Sequence, residues 1–137
     1  MTPSFSTRYA PKMGPRGKYL LEERERIKLA ASLAQTFPDL KSLGALVSYF
    51  GPLGRTPLSQ VKCTFNLAHV KALLRFACPN NECVGGNFDL SAALAQAVTE
   101  RLGTVSGELH CQGWRSKATI DQVCCGHILR YTLTLGL

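Results

Sequence analysis

The stretch CPNNECVGGNFDLS, residues 78–91, sets two cysteines four residues apart inside a segment built for turning. Pro79 fixes one backbone angle, Asn80 and Asn81 tolerate turn conformations, and Gly85 and Gly86 let the chain reverse so that backbone N–H groups approach the sulfurs. Asp89 or Ser91 then supplies the cap of a helix, with Leu90, Leu94, Ala97, Val98 and Leu102 on its apolar face and Gly103 placed to end it in the left-handed conformation. A tight thiol-bearing turn that runs directly into a helix divides the chain into an upstream and a downstream part.

Upstream, residues 1–17 are polar, basic and punctuated by Pro and Gly, and they read as a flexible basic arm. From Tyr19 to about Phe37, the residues Leu20, Ile27, Ala30, Ala31, Ala34 and Phe37 share one face, while Glu22, Glu23, Arg24 and Arg26 occupy the other, which predicts an amphipathic helix ended by Pro38. SLGALVSYF and SQVKCTFNL alternate on either side of the turn GPLGRTP and predict a β-hairpin. AHVKA reads as a helical turn, and LLRFAC as a third strand leading into the cysteine turn.

Downstream, two strands are predicted, about 104–113 and 125–135, the second with Leu129, Tyr131, Leu133 and Leu135 opposite Arg130, Thr132 and Thr134. The order α, β, β, β, α, β, β describes an α+β fold with a mostly antiparallel sheet, an N-terminal amphipathic helix and a second helix inserted between two cysteine knuckles. With 137 residues, one domain spanning 18–137 succeeds the arm, since independent domains commonly hold about 100–150 residues.

The formal charge is +7, and Arg8, Lys12, Arg16 and Lys18 all precede the first acidic residue. Such a cluster attracts polyanions, unless it is simply a solvated run of charge. No apolar run approaches the about 20 residues that a membrane helix needs, so no membrane insertion is expected. No signal peptide is visible, and three prolines in the first fifteen positions break any transit-peptide helix, which points to a cytoplasmic location. In a reducing compartment six cysteines stay free, bind metal or perform redox chemistry.

Metal binding suits their spacing. A structural zinc site is closed by four ligands, and two tight turns with two ligands each supply that geometry. Cys78 and Cys83 form one half. Cys111, at the end of one predicted strand, and Cys124 or Cys125, at the start of the next, form the other. Cys125 is preferred because it shares a face with Leu129 and Tyr131, while adjacent residues of a strand point to opposite sides. His110 and His127 flank these ligands as substitutes or as hydrogen-bond partners of a sulfur. A redox dithiol is disfavoured because the C-x-x-C spacing is missing and the vicinal pair bridges only with strain. Cys63 reads as core.

Two cysteine pairs at the ends of β-hairpins resemble the zinc-ribbon group of folds over roughly residues 73–135, and CPN..C.GG.FDL followed by C.GW and LRY is similar to uncharacterised bacterial zinc-ribbon-like proteins. The resemblance implies one structural zinc and no activity. The chain departs from that pattern by four residues, not two, within the first knuckle and by the helix between the pairs. No P-loop, GxGxxG, G-x-S-x-G or deaminase signature is present, so no enzyme and no small-molecule substrate are expected. Two functions fit. One is a nucleic-acid-associated module for RNA or the ribosome, using the basic arm and the loop GWRSK, where Arg115 and Lys117 meet phosphates and Trp114 either stacks on a base or, as we prefer, covers the knuckle. The other is an adaptor that docks a protein partner through its first helix or a strand edge.

Overall fold

The computed structural model describes residues 14–55, 57–80, 83–115 and 125–137. Helix α1 spans Pro15–Lys28 and helix α2 spans Leu33–Thr36. Strands β1 (Ser42–Phe50) and β2 (Pro57–Thr64) come next, then β3 (Arg75–Ala77), β4 (Cys83–Val84) and β5 (Asn87–Asp89). Helix α3 (Ser91–Thr99) leads to β6 (Thr104–His110), β7 (Trp114–Arg115) and β8 (Ile128–Gly136).

The main sheet has the order β2-β1-β8-β6 and is antiparallel throughout. Its register tracks the apolar alternation. On β1, Leu43, Ala45, Val47 and Tyr49 are buried, and Ala45 pairs with Leu133 and Tyr49 with Leu129 on β8. Under that face lie Leu90, Leu94 and Ala97 from the α3 region and Phe88 from β5, all within one buried cluster. The rings of Tyr49 and Phe88 meet at 6.0 Å and 55°, a tilted contact. The opposite face is polar: Ser106 and Thr132 share a hydroxyl hydrogen bond, and Arg130 binds Glu108 while lying 4.5 Å from the centre of the Phe50 ring. The expected α+β class with a mostly antiparallel sheet is therefore what the chain adopts. Among the described residues no helix is long and apolar enough to cross a membrane.

Three local departures have physical causes. The expected continuous helix from Tyr19 to Phe37 begins earlier, at Pro15, and breaks after Lys28. Proline suits a first helical turn because its missing N–H needs no partner there. The break arises at Ser32, whose hydroxyl accepts from Gln35 N–H while the Gln35 side chain accepts from Ser32 N–H, a capping box that starts α2 afresh. The freed backbone pairs with the 67–72 segment instead, through Leu33 N–H to Val70 C=O, Ala34 N–H to Leu67 C=O and Ala72 N–H to Ala31 C=O.

Strand β3 stays out of the main sheet. It pairs with β5 just beyond the cysteine turn, a closure over few residues and so of low entropic cost. The N-cap position of α3 falls on Leu90, without a side-chain cap, and not on the expected Asp89 or Ser91: the Ser91 hydroxyl accepts from Leu74 N–H instead, and Asp89 Oδ1 accepts from Ser91 N–H at 2.9 Å.

The end of α3 is closed by Leu102 N–H to Ala97 C=O and Arg101 N–H to Val98 C=O, the paired bonds of a Schellman motif. The left-handed position falls on Arg101, with φ of 55°, and not on the expected Gly103. The exposed Arg101 carries the cost of a Cβ in that conformation, about 1–2 kcal/mol before the entropy of the unfolded chain is counted. Arg101→Gly should accordingly raise stability by about 1 kcal/mol, read as an increase of about 3–4 °C in melting temperature.

Candidate metal centre

Each cysteine of the centre is placed by a strand end. Cys78 comes directly after β3, Cys83 opens β4, Cys111 comes directly after β6 and Cys125 precedes β8. The two halves are joined by a short antiparallel ribbon in which Cys83 pairs with Arg115 and Val84 with Trp114. Cys111 N–H donates to His127 C=O and Cys125 N–H to Gly113 C=O, both at 2.8 Å, which locks the ends of β6 and β8 at the site. Within the first knuckle, Cys83 N–H reaches Asn80 C=O at 3.0 Å, closing the turn.

All four side chains are buried and their Sγ atoms lie within 4.8 Å of one another. Cys78 and Cys125 approach to 3.6 Å, and Cys83 and Cys111 to 3.5 Å. A disulfide requires about 2.05 Å, so neither of these pairs is bridged. A tetrahedron with metal–sulfur bonds of about 2.3 Å has edges of about 3.8 Å, close to what the two nearest pairs show. The donor set is sulfur only, it is enclosed, and it is tetrahedral in scale.

The surrounding backbone has no room to spare. A Cβ added at Gly86 would overlap the Sγ atoms of Cys111 and Cys83, and one at Gly113 would lie 2.6 Å from both Gly86 N and Val84 O. Hydrogen bonds aim at the sulfurs: Asn80 Nδ2 donates to Cys125 Sγ at 3.4 Å and Gly113 N–H to Cys111 Sγ at 3.4 Å, while His127 Nδ1 lies 3.2 Å from Cys125 Sγ. On the outside, the Arg16 guanidinium donates to Cys78 C=O at 2.9 Å and to Cys83 C=O at 3.2 Å.

These surroundings divide the thiols. Burial, and then the neighbouring Cys111, pushes Cys83 up to about 12. Cys111 is also raised, by its hydrogen bond with Cys78 and by burial. For Cys125 burial is the largest influence and acts upward, but hydrogen bonds from the Asn80 side chain and the His127 backbone, with those from Cys78 and Cys111, outweigh it and bring the thiol to about 6. The metal-free fold thus retains protons that a metal must displace.

The four cysteines singled out in the sequence are those that converge. Cys124, the alternative to Cys125, lies outside the described residues, as do Arg8, Lys12, Lys117 and the side-chain roles considered for Trp114 and Arg115, whose backbones form β7. Cys63 is half-buried on β2, away from the cluster. His110 turns to Glu108 instead, at 3.0 Å, while His127 takes the sulfur-partner position. Lys18 is an exposed residue of α1. Arg16, expected in a flexible polyanion-binding arm, lies in the first turn of α1 with its guanidinium on two knuckle carbonyls, and the signal for that helix start was Pro15. Sequence reasoning also missed Gly113 and the sulfur contact of Asn80, and it put Glu23 on the solvent face. Glu23 is buried, because its Oε1 accepts from both Arg26 and Arg75.

Gly86→Ala should abolish stoichiometric metal retention and lower stability by about 1–3 kcal/mol or more, the range for overpacking a core, while Gly103→Ala, whose added Cβ meets no neighbouring atom, should leave both nearly unchanged. Metal analysis and thermal melting of the two variants make the comparison.

No protein-family model, curated protein or solved structure matches the chain. The centre stands on its own geometry: four buried sulfurs at tetrahedral spacing.

Proposed function

We propose that the four cysteines hold one structural zinc ion and that the domain it staples is a non-catalytic nucleic-acid-associated module, acting on RNA or at the ribosome in the cytoplasm. The observation that carries the metal half is the closed all-sulfur donor set. Zinc accepts four thiolates in a tetrahedron without redox change, and a site whose positions are all taken by protein sulfur leaves none for a reacting water. An all-sulfur site of this type favours a structural over an enzymatic role. The nucleic-acid half is supported by the formal charge of +7, which four thiolates and one zinc reduce only to about +5.

A second reading, a protein-interaction adaptor, is favoured by one specific feature. Among the described residues strand β2 lies at the sheet edge with one ladder side unpaired, and Leu58 and Val61 on it are 61% and 43% exposed. Edges of this kind accept an added strand from a partner.

Two measurements test the proposal. Protein purified without added metal should contain about one zinc per chain, and Cys78→Ser or Cys111→Ser should unfold or strongly destabilise it. Because Cys83 and Cys111 are still protonated in the metal-free fold at neutral pH, at least two protons leave on binding. Zinc affinity should then rise by at least about 100-fold per pH unit near pH 7 and fall correspondingly on acidification. Metal-free protein with wild-type-like stability in both serine variants would remove the site. For the nucleic-acid half, binding of heterogeneous RNA should weaken steeply with salt and less steeply after removal of residues 1–13. No binding at low salt, together with stoichiometric co-purification of one protein, would favour the adaptor.

A further inference from the structure

A cleft of about 580 Å³ opens between α1 and the 69–77 segment, distinct from the cysteine cluster. Its size falls in the range of ligand-binding pockets, about 300–1,000 Å³. Its apolar and aromatic floor is taken from the half-buried lining residues Tyr19, Leu20 and Ile27. The rim is cationic. Arg24 and Lys28, one turn apart on α1, face a wall that carries Lys71 and Arg75.

The charge of this cleft is unbalanced. Its one carboxylate among the lining residues, Glu23, is buried and already accepts from Arg75 and Arg26, and Arg75 also binds Asp89. Lys28 has only a long, exposed contact of 3.5 Å with Glu25. Arg24 and Lys71 have no acidic partner among the described residues. Cations on opposite walls of an apolar-floored cleft repel one another and focus a positive potential into the gap, which an anion relieves.

The combination limits the anion. A free phosphate would use the rim and leave the floor bare. A duplex keeps its bases stacked inside and cannot offer one to the floor, whereas a single strand presents both an unstacked base and its phosphates. Resting on the nucleic-acid reading of the domain, we infer that this cleft binds a segment of single-stranded RNA, with a base against the floor formed by Tyr19 and Ile27 and the flanking phosphates held by Arg24, Lys28 and Lys71.

The test is fluorescence anisotropy with a labelled 12-nucleotide single-stranded RNA of mixed sequence and the matching duplex, each across a salt series. Arg24→Gln with Lys71→Gln removes two rim charges, and Lys41→Gln with Lys62→Gln removes the same number outside the cleft. The cleft pair should bind the single strand about 10-fold more weakly and lower the salt slope by about 1.4, from about 0.7 per phosphate contact. The outside pair should stay within about two-fold, and both should keep wild-type melting temperature and zinc content, since none of the four residues holds the fold through an ion pair among the described residues. If wild type binds and both pairs weaken alike, or neither weakens, the cleft assignment fails while the nucleic-acid reading stands. Tighter binding of the duplex than of the single strand also overturns the cleft. Wild type that binds no RNA at low salt removes both.

Discussion

Four thiols directed at one buried point constrain much of what surrounds them. Sulfurs brought to within 4.8 Å require the two knuckles to approach closely, and Gly86 and Gly113 are where a side chain would block that approach. In the proposed zinc-bound state, four thiolates on one zinc would leave a net charge of about −2 inside the protein, a state that needs donors around it. Asn80, the Gly113 N–H and His127 are placed against the sulfurs, and Arg16 on the cysteine carbonyls brings a positive charge from outside. Free energies of structural zinc binding, about 10–16 kcal/mol, match or exceed the net stability of a typical domain, about 5–15 kcal/mol. On that scale a zinc ion bound as proposed would make the knuckles and the fold inseparable.

The sheet makes the centre rigid. Strands β6 and β8 are paired along seven positions up to His110 and Ile128, so Cys111 and Cys125 leave the ladder side by side at its end. The first knuckle is held against them by the β4–β7 ribbon, while Phe88 carries its β3–β5 ribbon onto Tyr49 of the sheet. Helix α1 is fastened to the same assembly by Arg16 on the knuckle carbonyls, Tyr19 with Asn87, and Glu23 with Arg75. Helix α1 thus both contacts the cysteine knuckle and lines the basic cleft.

The periodic elements were legible in the chain because each repeats one local preference over many residues. β1 and β8 are nine residues long, with Leu43, Ala45, Val47 and Tyr49 on one and Leu129, Leu133 and Leu135 on the other at alternating buried positions that supply one another's neighbours. The cysteine ligands were legible for a different reason: a thiol pair with Pro, Asn and Gly in and beside its turn has few other chemical uses. What was misread depended on partners distant in sequence. Glu23 looks like one more charge on a solvent face until Arg75, 52 residues away, is brought beside it. Ala31 to Ala34 continue a helical pattern, yet their backbone groups are taken by residues 67–72.

The sequence by itself determined the α+β class, the hairpin, the C-terminal strand and three candidate ligand cysteines, with Cys125 or Cys124 as the fourth, since period, turn chemistry and residue type are properties of neighbours in the chain. Only the tertiary structure decided that the sulfurs converge, that Gly113 as well as Gly86 must lack a side chain, that Arg16 serves the knuckle, and that Arg24, Lys28 and Lys71 surround one cleft. Those outcomes depend on distances between segments separated by dozens of residues, and such distances are set by the packing of the whole core.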